Sequence, residues 1–473
     1  MKQAEVGLIG LGVMGANLAL NIAEKGFSIA VYNRTTETTR RFHASAGALA
    51  GQIAPSTTIA EFVAAIRPPR PIIMLVKAGD AVDEQVALLR PLLSPGDILI
   101  DAGNANFHDT IRRSAALDGA GPTFVGLGVS GGEEGARHGP SIMVGGSRQS
   151  YSHIEKVLTA VSAKYKGEAC CAWLGEGGAG HFVKMIHNGI EYADMQMIAE
   201  IYGVLRDGLG LSAAEIGDIF ARWNAGRLNS YLIEITAAVL AATDGKTGKP
   251  IVDVIRDQAG QKGTGRWSVM EAQNLGVPAT AMEAAVAARS LSSLKSEREQ
   301  ADKIYAMQRV RLAPSDRKAF IDQLEFALYA GKVAAYAQGF AVMEAASREF
   351  SWNLPMATIA RIWRAGCIIR SQFLDTIASA FVASGRLSNL LIAPEFVATM
   401  KETVPSLRRI VADAVISSVP VPALSSALGY FDSYRQGRGT ANLIQAQRDF
   451  FGAHGFERID EEGTRHGPWH TST

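Results

Sequence analysis

The chain has 473 residues, 47% of them hydrophobic and 20% charged, with 47 basic residues against 46 acidic ones. That length corresponds to about two to four domains, and that apolar content fills sizeable cores, which excludes a disordered chain. A net charge of +1 argues against non-specific nucleic-acid or membrane binding and leaves local basic pockets as the anion sites. Cys170, Cys171 and Cys367 form no disulfide framework and match no zinc spacing, so a reducing, cytoplasmic setting is expected. Residues 1–5 run straight into an apolar strand, so no signal peptide is expected. The longest uncharged stretch, 414–431, contains Pro420, Pro422 and four serines and makes a poor membrane span.

Glycine divides the chain unevenly, with 25 of the 48 in residues 1–180. There, apolar runs at Val6–Ile9, Ile29–Tyr32, Ile72–Val76, Ile98–Asp101, Phe124–Gly126 and Ile142–Val144 alternate with amphipathic segments. Short runs bounded by Gly, Pro or Asn in this alternation predict βαβ units and a parallel sheet. After Gly180 the pattern is helical to about residue 430, beginning with a proline-free segment over 181–209. ARWNAG at 221–226 resembles RIWRAG at 361–366, and SYLIE at 230–234 resembles SQFLD at 371–375. The echo predicts a duplicated helical unit. From about Tyr434 the chain is a polar, Gly-rich tail that frays or docks on a partner.

Gly10-x-Gly12-x-x-Gly15 falls between the first strand and a helix over 16–25. Glycines at 10, 12 and 15 permit a tight turn, and with Leu11, Val13 and Met14 they bring backbone up to a pyrophosphate at the helix N-terminus. The second strand ends in Val31-Tyr32-Asn33-Arg34-Thr35, with no acid to hold a ribose 2′-hydroxyl. The Arg34 fork and the Thr35 hydroxyl suit a 2′-phosphate instead, so NADP is predicted. The expected layout is a Rossmann-like α/β coenzyme domain over 1–178, an all-helical domain over 179–433 and a tail over 434–473.

GHFVKMIHNGIEY at 180–192 carries the sharpest signal. At ~100° per residue, Lys184, His187, Asn188, Glu191 and Tyr192 share about 140° of one helix face. A solvated Lys–Glu face is the ordinary explanation. Here Phe182, Val183, Met185, Ile186 and Ile190 make the rest of the helix apolar, so the polar face lines a site. Lysine and glutamate in a partly desolvated cleft move toward neutral pKa values, as acid–base work requires. Ser130, Gly131 and Gly132 follow a strand and expose backbone N–H groups, and 261–267 (QKGTGRW) resembles a phosphate-gripping loop but lacks Walker A spacing, each being a solvated surface feature unless the fold brings them together. Arg289, Arg448 and His454 add cations. The nine histidines show no ligand-type pairing, so a metal-free mechanism is predicted.

Five segments in the same order resemble the 6-phosphogluconate dehydrogenase family: 128–137 (GVSGGEEGAR), 180–192, 260–265 (GQKGTG), 362–370 (IWRAGCIIR) and 441–454 (ANLIQAQRDFFGAH). The resemblance covers nearly the whole chain. It implies an NADP-dependent oxidative decarboxylation of 6-phosphogluconate to ribulose 5-phosphate, in a homodimer whose C-terminal tail reaches the partner subunit. It further implies that Lys184 is the base for the 3-hydroxyl and Glu191 the acid that protonates C1. His187 and Asn188 would orient the substrate, with Ser130, Gly131 and Gly132 near its carboxylate and hydroxyls. Tyr192, Lys262, Thr264 and Arg289 would surround its phosphate, and Arg448 and His454 would come from the other subunit. Val76, Lys77, Ala78 and Asn104 match the family's cofactor-side loops. Two alternatives stay open at this point: a different β-hydroxyacid dehydrogenase, and a non-catalytic NADP-binding scaffold.

Overall fold

Runs of isoleucine and valine, broken by glycine turns, build one eight-stranded sheet in the N-terminal region of the structure, a computed structural model that describes residues 3–119, 121–306, 310–385 and 387–469. Its strands are β1 (Val6–Ile9), β2 (Ile29–Tyr32), β3 (Ile53–Pro55), β4 (Pro71–Met74), β5 (Ile98–Asp101), β6 (Thr123–Ser130), β7 (Ser141–Val144) and, after a separate hairpin of β8 (Lys164–Tyr165) and β9 (Glu168–Ala169), β10 (Cys171–Trp173). The order is β10-β7-β6-β5-β4-β1-β2-β3. From β3 to β6 this is the doubly wound 3-2-1-4-5-6 arrangement, whose switch point between β1 and β4 opens a crevice at the strands' C-terminal ends.

The sheet is not wholly parallel as expected. Strand β7 pairs with β6 antiparallel, and β10 then follows β7 in parallel. The link between β6 and β7 holds only residues 131–140, shorter than the dozen or more that a parallel crossover needs. Strands β3 and β10, each three residues long, were too short to show any periodicity.

Beyond the sheet the chain is helical. The helix Ala179–Gly203 ends in a π turn over Val204–Gly208, and it packs against the 33-residue helix Arg317–Glu349 at the centre of this region. The sequence duplication is two helix pairs: Ala213–Asn224 with Tyr231–Ala241, and Met356–Ile362 with Phe373–Ser384. Their loops meet. Tyr231 N donates to Arg370 O at 3.1 Å, and Gln372 N donates to Asn229 O at 3.3 Å. Each copy therefore satisfies backbone groups of the other. Phe107 and Met143 of the sheet region belong to the same apolar core as this helical region, so one hydrophobic interface joins them.

The tail forms a helix, Ala441–Gly452, and a hairpin of β11 (Phe456–Glu457) and β12 (Thr464–Arg465). They close around the buried Asp449 carboxylate, which accepts from Gly467 N at 2.8 Å, His466 Nδ1 at 2.6 Å, Trp469 Nε1 at 2.7 Å and Gly455 N at 2.9 Å. These donors, the Gly467 amide foremost, hold its pKa far below the usual carboxylate range. Leu443, Ile444 and Phe451 stay exposed on the tail. Positions 470–473 of the expected tail lie outside the described residues. Among the described residues no helix is long and apolar enough to cross a membrane.

Candidate active site

Glycines set how closely the Ala179–Gly203 helix lies on the sheet. A Cβ on Gly128 would sit 2.5 Å from Lys184 Cβ, and one on Gly180 would sit 2.6 Å from Gly126 O. With both absent, the Lys184 side chain runs along β6 from Gly128 to Ser130. Gly189, farther along the helix, admits the helix Thr264–Asn274, and Ser268 Oγ there donates to Met185 O at 2.7 Å.

The lysine is 6% exposed. Its Nζ donates to Asn188 Oδ1 at 2.7 Å and to Ser130 Oγ at 3.0 Å, and lies 3.4 Å from His187 Nδ1. His187 Nε2 is 3.3 Å from Ser130 Oγ, and its ring meets Trp363 edge-on at 5.4 Å. Asn188 Nδ2 donates to Thr264 Oγ1 at 3.1 Å, tying the network to the 261–267 loop. Glu191 closes the row, its carboxylate 3.9 Å from His187 Nδ1.

Burial moves these groups toward their neutral forms. It pushes the Lys184 pKa down, against the pull of the Glu191 charge. It pushes the Glu191 carboxyl up, against Lys184 and Arg289. His187 falls well below its ordinary value, first through burial and then through the neighbouring Lys184. A lysine lowered and a glutamate raised on one helix face are the kind of shifts that acid–base chemistry uses.

The Arg289 guanidinium stacks over the Tyr192 ring at 3.6 Å, and Gly265 leaves room for that ring. Lys262 is exposed one residue before Gly263, which caps the helix beginning at Thr264 with φ +99°. That N-terminus, Lys262 and Arg289 suit an anion. Gly131, at φ +111°, turns β6 into the helix Gly132–His138, and a side chain there would strike Gly366 O at 2.6 Å. One copy of the duplicated loop thus supports the Ser130–Gly132 turn.

Gly12, Val13, Met14, Gly15, Val76 and Asn104 line one cleft of about 290 Å³ together with Val129. Gly10 has φ +97°, and a Cβ on Gly15 would lie 1.8 Å from Gly10 O, so only glycine allows this turn. No atom crowds Gly12, which leaves room for a diphosphate. Asn33 Oδ1 accepts from Leu11 N at 3.0 Å and ties the turn to β2, past which Arg34 and Thr35 are exposed. Lys77 and Ala78 continue the loop from Val76 after β4. Val129 faces the cleft, and its neighbour Ser130 accepts from Lys184, so coenzyme cleft and lysine meet across one strand.

Arg448 and His454 do not join this site. Both are exposed on the tail, where Arg448 donates to Gln445 Oε1 at 3.0 Å. Sequence reasoning missed four groups beside the site: His181, Thr110, Asp194 and Lys332. Asp194 and Lys332 form a buried ion pair at 2.6 Å, with Asp194 one turn past Glu191. Its helix position was the available signal, since Asp194 extends the Lys184–Glu191 face.

Residues 5–175 match the family model "NAD binding domain of 6-phosphogluconate dehydrogenase", and residues 180–469 match "6-phosphogluconate dehydrogenase, C-terminal domain". A Bacillus subtilis relative named 6-phosphogluconate dehydrogenase, NADP(+)-dependent, decarboxylating is 48% identical, over 99% of this chain and 100% of its own. A second Bacillus subtilis relative, named as the NAD(+)-dependent enzyme, is 47% identical over 98% of this chain and 99% of its own. The solved 6-phosphogluconate dehydrogenase of Plasmodium falciparum, described in apo form and in complexes with NADP+ and 6-phosphogluconate, is 42% identical with a TM-score of 0.95, covering 98% of this chain and 100% of that one. In sequence and in fold, the chain belongs to the 6-phosphogluconate dehydrogenase family.

Proposed function

We propose that the chain oxidises 6-phospho-D-gluconate at C3 with NADP and decarboxylates the product to D-ribulose 5-phosphate and CO2. The observation that carries this reading is the buried Lys184–Asn188–Ser130–His187 network beside a dinucleotide cleft, with Glu191 two turns along the same helix. NADP, when bound, accepts the hydride from C3. Gly10–Gly15 would hold its diphosphate, Asn33, Arg34 and Thr35 its 2′-phosphate, and Val76–Ala78 and Asn104 its nicotinamide side.

Lys184, made less basic by burial, removes the 3-hydroxyl proton. The resulting β-keto acid loses its carboxylate, and the protonated lysine polarises the keto oxygen. Glu191, its pKa raised by burial, then delivers a proton to C1 of the enediol. His187 and Asn188 orient the hydroxyls, and Ser130, Gly131 and Gly132 face the carboxylate. Tyr192, Lys262, Thr264 and Arg289 hold the phosphate.

Residues 1–178 then serve as coenzyme region, 179–433 as substrate and subunit-contact region, and 434–473 as an arm. The exposed apolar face of that arm fits a neighbouring subunit of a homodimer, whose site would receive Arg448 and His454. Three buried free thiols suit a reducing cytoplasm. The deciding experiment follows NADPH absorbance with 6-phosphogluconate, gluconate and hydroxyisobutyrate in parallel. Reduction with 6-phosphogluconate alone is expected, because the cationic set requires a phosphate. Equal rates with gluconate would overturn the assignment.

A further inference from the structure

His181 lies one turn before Lys184 on the same helix and is wholly buried, yet its polar contact is with the coenzyme region. Its Nδ1 is hydrogen-bonded to Thr110 Oγ1 at 2.7 Å. Thr110 sits in the first turn of the helix Phe107–Leu117, which begins three residues after Asn104. The other edge of the ring faces the backbone of Asp101 and Gly103, where Nε2 has no well-aligned partner. Burial lowers the pKa of His181 and favours the neutral ring, which offers one donor and one acceptor.

Strand β6 is shaped to admit this contact. A Cβ on Gly126 would lie 2.7 Å from both His181 Nδ1 and Thr110 Cγ2, as one on Gly128 would strike Lys184. Positions two apart on a strand share a face, and positions three apart on a helix do likewise. Gly126 with His181 and Gly128 with Lys184 are therefore two rungs of one interface. The loop is fixed from its other side too. The buried Asp101 Oδ1 accepts from Gly103 N at 3.0 Å, while Asp101 Oδ2 lies 3.7 Å from Arg113, which pairs with Asp83 at 2.7 Å.

An ordinary buried histidine would fill space, and a leucine could fill the same space without burying two ring nitrogens. The polar bond instead joins the lysine helix to the segment that carries Asn104. Hydride transfer requires reacting atoms about 3–3.5 Å apart and aligned, so a small slip between lysine and coenzyme loop enters the rate directly. We propose that His181, through Thr110, is a positioning residue that sets the 101–104 coenzyme loop against Lys184. The proposal rests on the reading of Lys184 as the base.

The test uses the full-length protein. Thr110→Val keeps the branched shape and removes the hydroxyl, whereas Thr110→Ser keeps the hydroxyl. For Thr110→Val a drop in kcat of about three- to tenfold is expected, the size of a neutral buried hydrogen bond. The KM for 6-phosphogluconate should stay within about twofold, and the isotope effect with substrate deuterated at C3 should rise. Thr110→Ser should restore both values. A second pair is independent of that position: His181→Asn, which keeps a polar atom near Nδ1, should retain more kcat than His181→Leu.

An unchanged kcat and isotope effect in Thr110→Val, or equal losses within either pair, would overturn the positioning role. Lys184→Met separates this from failure of the underlying reading. If hydride transfer survives in Lys184→Met, the base assignment falls. If Lys184→Met is dead while Thr110→Val is normal, only the positioning role falls.

Discussion

Burial displaces two ionisable groups on one helix face in opposite directions, Lys184 downward and Glu191 upward. The Glu191 carboxylate opposes that drop by holding the ammonium form of Lys184. Removing the charge in Glu191→Gln therefore lets the lysine pKa fall further. The acidic limb of the kcat/KM profile, where the base becomes protonated, is expected to move to lower pH. A limb that stays in place or moves up would contradict the coupling. The two groups should also fail at different steps. Lys184→Met should abolish hydride transfer, while Glu191→Gln should slow turnover of the added 3-keto intermediate by about 10²–10⁴-fold. At the coenzyme end, Arg34→Ala should weaken NADP binding by about ten- to a hundredfold, the worth of a charge-assisted bond, and leave NAD binding little changed. Equal losses for both coenzymes in a binding titration would remove Arg34 from the 2′-phosphate. Relatives named for each coenzyme match this chain almost equally, so the local residues must decide.

At the scale of elements, the helix that carries Lys184 is held on two sides. Glycines 126 and 128 let it settle on β6, and on its far side Asp194 pairs with Lys332 of the long central helix. Both members of that pair are almost fully buried, at 1% and 2% exposure. Removing one partner strands a charge in the core, which costs about 3–5 kcal/mol, whereas replacing both with apolar groups is often neutral. Lys332→Met is accordingly expected to lower the unfolding midpoint strongly in chemical denaturation, and Lys332→Met with Asp194→Leu to recover most of the loss. An equally destabilised double variant would show that the pair itself, and not the stranded charge, holds the helices. The Asp194 charge also pushes the Glu191 pKa upward, so the stabilised double variant should still show an altered pH profile.

At the scale of the whole molecule, the shared-site reading turns on the two arm residues Arg448 and His454. Arg448 and His454 are exposed, and the bonds around Asp449 fold the arm on itself. Lys184→Ala and His454→Ala, each expected to be inactive alone, can be unfolded and refolded together. In a hybrid of a two-fold dimer with shared sites, one site carries both lesions and the other none. If half the dimers are hybrids, roughly a quarter of wild-type activity should return. No recovery with hybrids demonstrably present would mean that each site is built from one chain.

The sequence alone determined what is local. Gly10, Gly12 and Gly15 between a strand and a helix, Arg34 at the end of the next strand, and the polar face from Lys184 to Tyr192 all follow from backbone sterics and the 3.6-residue period. Six strands were legible for the same reason, as short apolar runs between glycine turns. Tertiary structure alone decided the partners. Ser130 reaches Lys184 across 54 residues, Thr264 reaches Asn188 across 76, Thr110 reaches His181 across 71, and Lys332 reaches Asp194 across 138. It also decided the reversal of β7, where a ten-residue link was too short for a crossover, and the separation of Arg448 and His454 from the site. Periodicity reports which face of an element is buried. It carries no information on which other element covers that face, because that depends on how closely two backbones can approach, and here glycines opposite Lys184 and His181 set the approach.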